Sequence, residues 1–140
     1  MSAPIADWEP VYTVNEYFDG PRRGFANFGG RPHAYSCEWD EQADDWSAVY
    51  LLAPISGEQL DLVREDWAIW RRWASAHETQ NLTPDDKHPA LAGDRPRHDE
   101  LQPLVNEALV VDATQAIRAI PEFRGTLEPL HDLEVRWRSP

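Results

Sequence analysis

From Val11 to Leu52 aromatic and polar residues alternate, and the stretch is punctuated by Asp19-Gly20-Pro21, by Gly29-Gly30-Arg31-Pro32 and by an acidic run. A period of two sends successive side chains to opposite faces of a strand. Over residues 11–18 it puts Tyr12, Val14, Glu16 and Phe18 on one face, with Val11, Thr13, Asn15 and Tyr17 on the other. Asp19-Gly20-Pro21 forces a turn, because Gly tolerates positive φ while Pro fixes its own φ and lacks a donor. A second strand follows over residues 24–28, and Gly29-Gly30 suits a tight hairpin. The third strand places His33, Tyr35, Cys37 and Trp39 on one face, and the fourth covers residues 46–52. Between them, Glu38 to Asp45 holds five acidic residues and no base, which marks an exposed tip.

Helical periodicity takes over after Ser56. Ser56 and Gln59 have capping-box spacing, and Leu60, Val63, Trp67, Trp70, Ala74 and His77 recur at steps of three and four over residues 57–77. Residues 78–97, with Pro84, Pro89, Gly93 and Pro96, read as a long surface loop. Leu101, Leu104, Val105, Ala108, Leu109, Ala116, Ile117 and Ile120 suggest a second helix over residues 101–120, stopped by Pro121, with Val110-Val111 as an interruption. Leu133, Val135 and Trp137 alternate with charged residues in a C-terminal strand over residues 133–138 that would pair with an edge of the meander. The expected fold is a single α+β domain over residues 1–140. It comprises an antiparallel β-meander of about four strands plus the C-terminal strand, packed against two amphipathic helices.

Composition narrows the functional classes. The chain has 140 residues, 25 acidic against 13 basic, and a net charge of −12. That excess repels phosphate backbones and anionic lipids, so neither nucleic acid nor a membrane is an expected partner unless the protein imitates nucleic acid. No apolar run approaches the roughly 18 residues of a membrane span, and Met1 to Asp7 lacks a basic and apolar leader. The lone Cys37 cannot form an internal disulfide, so a reducing cytoplasm is expected. Twelve of the 13 basic residues are Arg, a bias expected of a GC-rich bacterial genome.

The five histidines, His33, His77, His88, His98 and His131, lack the paired short spacings of zinc sites. His33 and Cys37 share a strand face but stand about 13 Å apart at the ordinary strand rise. His77-Glu78 is better read as a helix-end cap. Asp40, Glu41, Asp44 and Asp45 lack the register of a calcium loop. No nucleophile elbow or phosphate-binding glycine loop is present. No metal, cofactor or catalytic residue is assigned, and a binding protein is favoured over an enzyme.

Seven Trp residues are far above ordinary usage. Trp67 and Trp70 lie on the apolar stripe of the first helix and are expected in a core, whereas Trp39 and Trp46 flank the acidic tip. A small module of inhibitor, immunity or accessory type is therefore expected. Asp40, Glu41, Asp44 and Asp45 would steer a basic partner protein, and Trp39 and Trp46 would lock it. An alternative is a small-molecule or nucleotide pocket between sheet and helix. There Arg22, Arg23 or Arg71 would hold an anion, Tyr35 or Trp39 would stack on a ring, and His33 would act as acid or base, with Tyr17 as a further candidate ligand contact. Arg22 and Arg23 are otherwise expected to pair with nearby acids. A nucleic-acid mimic is a third class, and a homodimer is compatible with the same residues.

Overall fold

The computed structural model describes residues 7–78, 90–125 and 132–140. Residues 1–6, residues 79–89 of the expected surface loop, the cap at the His77 and Glu78 side chains, and both His88 and His131 lie outside the described residues. Within them the elements are β1 (Glu9–Tyr17), β2 (Pro21–Phe28), β3 (Arg31–Ser36), β4 (Trp39–Asp40), β5 (Asp45–Trp46), β6 (Tyr50–Pro54), α1 (Gly57–Glu78), α2 (Arg95–Ala108), β7 (Ile117–Arg124) and β8 (Glu134–Arg138). By contacts the chain divides into two units, residues 1–55 with 109–140, and residues 56–108.

The first unit is antiparallel, in the order β1-β2-β3-β6-β7-β8, and closes into a barrel where β8 pairs with β1 through Glu9 with Val135 and Pro10 with Glu134. The α+β class holds, but the four-strand meander does not. The expected third and fourth strands are each cut short, and their inner ends leave the barrel as the separate β4–β5 hairpin. β1 departs from strict alternation as well. Its register against β2 slips between Val11 and Thr13, and again on both sides of Glu16, so Val11, Thr13 and Val14 are all buried. Such bulges bend a strand and raise its twist, as closing a sheet of few strands requires.

Rings from four strands fill the interior. Tyr50 on β6 and Phe123 on β7 each lie 6.0–6.5 Å from the other, from Tyr35 on β3 and from Trp137 on β8, in tilted and edge-on pairs. The Trp137 indole donates to the Asn27 carbonyl at 2.8 Å, which satisfies its buried N–H.

The expected helix over residues 101–120 is corrected at both ends, since α2 begins at Arg95, inside the expected surface loop over residues 78–97, and residues 109–120 are not helical. α2 ends at Ala108, the Asp112 carboxylate accepts from the Thr114 amide at 2.9 Å in a tight turn, and Ile117–Arg124 is strand β7. β7 is fixed on both sides, by Tyr50 with Ala119 and by Phe123 with Val135. Pro121, expected to stop a helix, lies within this strand.

In the second unit the capping box forms in full. The Gln59 amide donates to Ser56 Oγ at 3.1 Å, and the Ser56 amide donates to Gln59 Oε1 at 2.9 Å. α1 and α2 share a small core of Ile69, Ala90 and Leu101 with Leu62 against it. Among the described residues, side-chain contacts between acidic and basic residues join α1 to α2 or to the residue preceding it. Arg97 takes Glu65 in forked geometry at 2.6 and 2.9 Å, Arg72 takes Asp94 at 2.8 and 2.9 Å, and His98 Nδ1 lies 2.7 Å from Asp66. Trp67 and Trp70 stack at 4.6 Å and are half-buried. Among the described residues no helix is long and apolar enough to cross a membrane.

Candidate functional site

At one end of the barrel the β1–β2 turn and the β4–β5 hairpin come together around Arg22. The turn holds Asp19 at φ 55° and Gly20 at φ 138°, so its carbonyls face inward toward the guanidinium. Arg22 donates to the carbonyls of Phe18 at 2.7 Å and Asp19 at 3.0 Å, and to the Tyr50 hydroxyl at 3.1 Å. Tyr50 in turn donates to the Pro21 carbonyl at 2.6 Å. The guanidinium also lies 4.7 Å from the Trp46 ring centroid, a cation–π distance. Arg22 is thus the post to which both loops are tied. It serves backbone and ring instead of the acids expected as its partners.

The neck of the hairpin is equally well held. The Cys37 amide donates to the Arg22 carbonyl at 2.7 Å, the Ser47 amide donates to the Glu38 carbonyl at 2.9 Å, and the Cys37 thiol points at the Ser47 carbonyl at 3.2 Å. Burial raises the Cys37 thiol above its ordinary range, and the Arg22 guanidinium opposes this only in part. The lone cysteine is a buried structural thiol.

Beyond the neck, Trp39 faces Trp46 and Asp40 faces Asp45 across the two-stranded ladder. The indoles meet edge to face at 5.4 Å, and Phe18 stacks on Trp46 at 6.2 Å. Trp46 is therefore the half-buried centre of a cluster whose outer members stay in water, with Phe18 60% and Trp39 49% exposed. Tyr17, 56% exposed, adjoins Phe18 in the chain. Like charges directly opposed across a hairpin are unfavourable. Even so, among the described residues none of Glu38, Asp40, Glu41, Asp44 and Asp45 forms an ion pair. The tip instead turns on local backbone bonds, with Asp40 accepting from the Gln42 amide at 3.0 Å and Asp44 at φ 52°.

Beside the hairpin lies a cleft of about 400 Å³. Val49, Leu51 and Ala113 supply its apolar lining, Trp39 with Glu38, Asp40 and Glu41 comes from the hairpin, and Arg118 of β7 completes it.

The hairpin residues singled out in the sequence, Trp39, Asp40, Glu41, Asp44, Asp45 and Trp46, thus share one small element. The alternative set is dispersed. Tyr35 is wholly buried, with its hydroxyl on the Thr13 carbonyl. His33 is buried with Nδ1 2.9 Å from the Arg31 carbonyl, Arg23 reaches Glu16 at 3.4 Å, and Arg71 belongs to the helical unit. Neither the cleft beside the hairpin nor a smaller one at Phe28 and Trp137 is lined by Tyr17, Arg22, Arg23, His33, Tyr35 or Arg71.

Phe18, Val49, Leu51, Ala113 and Arg118 were not singled out from sequence. Phe18 carried a usable signal, a large ring placed directly before a Gly-Pro turn, where burial is hard to arrange. Ala113 and Arg118 carried none, because Arg118 is brought there by its pairing with Leu51 and Ala113 by the turn that precedes β7. No protein-family model matches the chain, and no curated protein or solved structure matches it.

Proposed function

We propose that the chain is a protein-binding module whose docking face is the barrel end formed by Phe18, Trp39 and Trp46, with the carboxylates of Asp40, Glu41, Asp44 and Asp45 beside it. The carrying observation is that Phe18 and Trp39 stay in water while anchored to a ring fixed by Arg22. Preordered aromatics are efficient anchors because little side-chain entropy remains to be lost on binding. The unpaired acids beside them favour a partner with a basic surface, by steering its approach and by repelling acidic competitors.

The same reading sets the protein in a reducing cytoplasm, in keeping with the free, buried Cys37. The test compares wild type with a Phe18→Ala/Trp39→Ala variant as bait in native lysate, after circular dichroism confirms that both are folded. A basic protein retained by the first and lost by the second is then purified, and its affinity must fall as salt rises. Equal retention by both baits, or an affinity indifferent to salt, removes the reading.

A further inference from the structure

We propose that the cleft beside the β4–β5 hairpin receives one long cationic side chain of the partner, an arginine or a lysine. The inference rests on the docking reading above and gives it a specific chemistry. The cleft has an amphipathic lining. Val49, Leu51 and Ala113 offer apolar surface for an aliphatic stem, and Trp39 offers an indole to stem or cation. Glu38, Asp40 and Glu41 stand along the hairpin side, and none of the three is neutralised by an ion pair among the described residues.

Arg118 gives the cleft a direction. Three carboxylates outweigh one guanidinium, so the cleft as a whole favours a cation, while Arg118 repels positive charge from its own wall. The stem therefore lies over Leu51 and the head turns toward the hairpin. The volume, about 400 Å³, corresponds to roughly a dozen waters at about 30 Å³ each, enough for an arginine side chain with part of its hydration. Among the described residues no three His, Cys, Asp or Glu side chains are grouped to hold a metal ion, so these carboxylates suit an organic cation that meets them one at a time.

The test is a ¹H–¹⁵N NMR titration of the whole protein with the amide of Gly-Gly-Arg-Gly-Gly and its lysine counterpart. Citrulline and norleucine peptides serve as neutral controls of similar length. The Trp39 indole and Leu51 amide signals should shift saturably with the arginine peptide, the lysine peptide or both, and the arms identify which head group is preferred. Ala113→Trp, at an exposed position, fills the cleft while leaving the hairpin and its acids in place. It should weaken the interaction roughly tenfold, about the loss of one desolvated cation–π contact. Glu41→Gln, also exposed, should weaken it less, and Glu107→Gln, an exposed charge on α2 outside the cleft, should leave it unchanged.

Equal shifts from the citrulline or norleucine peptide, or full binding by Ala113→Trp, overturn the proposal. The two readings fail separately. A captured partner lost by Phe18→Ala but untouched by Ala113→Trp keeps the docking face and overturns the cleft. A cationic peptide seated in the cleft with no basic protein retained keeps the cleft and removes the docking face.

Discussion

The Tyr35 hydroxyl donates to the Thr13 carbonyl at 2.9 Å from the middle of β3, reaching across β2 at Gly24. The ring passes where a side chain on residue 24 would otherwise stand, and a Cβ there would lie 2.6 Å from the hydroxyl and 2.9 Å from Cζ. Gly24 is required for close approach, since its φ is unexceptional. Burial also pushes the Tyr35 phenol well above its ordinary range, so the group stays a proton donor at all physiological pH values.

Gly24→Ala should therefore be among the most damaging single substitutions in the barrel. Overpacking a rigid site costs about 1–3 kcal/mol, and displacing Tyr35 adds the cost of a buried carbonyl left without its donor, about 1–3 kcal/mol. Tyr35→Phe incurs only the second. Urea unfolding should rank wild type above Tyr35→Phe and Tyr35→Phe above Gly24→Ala, and a reversed order of the two variants would show that the ring, not the glycine, limits the packing.

Arg22→Lys should loosen both loops at the barrel end. A planar guanidinium reaches the Phe18 and Asp19 carbonyls and the Tyr50 hydroxyl together while covering Trp46, whereas an ammonium on a flexible stem cannot reproduce that set. A loss of roughly 2 kcal/mol is expected, the scale of a bond or two to a charged donor. Amide exchange should quicken at Trp39 and Trp46. Unchanged exchange there would mean that the hairpin is held by its neck alone.

Cys37 should be unreactive in the folded protein. Its thiol is raised by burial and faces the Ser47 carbonyl, so little thiolate is present and little surface is open to a reagent. With a disulfide reagent at pH 8, modification should be slower than that of a free thiol on the order of tenfold or more. It should become fast only under denaturing conditions. Rapid labelling of native protein would mean that the neck of the hairpin opens readily.

Local physics explains which parts of this fold were legible in the chain. Ser56 and Gln59 satisfy each other's amides within one turn, so the start of α1 could be read directly. The acidic tip was legible because five like charges cannot be buried together. Strand β7 was not legible. Its inward positions are Ala119, Pro121 and Phe123, its outward ones include Arg118, Glu122 and Arg124, and it becomes a strand through β8 and through β6, which is distant in sequence. The apolar residues at 101–120 imitated one helical period because Ala116, Ile117 and Ile120 fall at compatible spacing. The pairing of β8 with the edge strand β1 was legible from the alternation of Leu133, Val135 and Trp137, but closure into a barrel was not, because it needs β7 between β6 and β8.

The helical unit should weaken in acid. The Arg97 hydrogen bond holds Glu65 below the usual carboxylate range, and the Arg72 bond does the same for Asp94. Both carboxyls take up protons at a higher pH in the unfolded chain than in the folded one. Their contribution is therefore complete above about pH 4–4.5, the unfolded carboxylate range, and is lost as pH falls through the lower folded values. Glu65→Gln/Asp94→Asn should show a flatter dependence of melting temperature between pH 5 and 2 than wild type. Identical slopes would show that these exposed pairs contribute nothing measurable.

The docking face makes a kinetic prediction in which charge and aromatic contact separate. The carboxylates of Glu41, Asp44 and Asp45 lie in water, where they act on an approaching partner at a distance more than on a bound one. Replacing all three with amides should slow association by roughly tenfold at low salt, flatten the salt dependence of the on-rate and speed dissociation far less than Trp39→Ala does, through the Glu41 contact in the cleft alone. Trp39 acts at contact. Its indole is held edge-on to Trp46 with half its surface free, so Trp39→Ala removes apolar area that the partner would cover without disturbing the Arg22–Trp46 contact. It should speed dissociation by roughly 30-fold, a loss of about 2 kcal/mol typical of a hot-spot aromatic, with association and its salt dependence preserved. Stopped-flow mixing with the purified partner at two salt concentrations measures both. If the triple amide variant changes only dissociation, or Trp39→Ala only association, the roles assigned to acids and indole are exchanged and the docking mechanism is wrong.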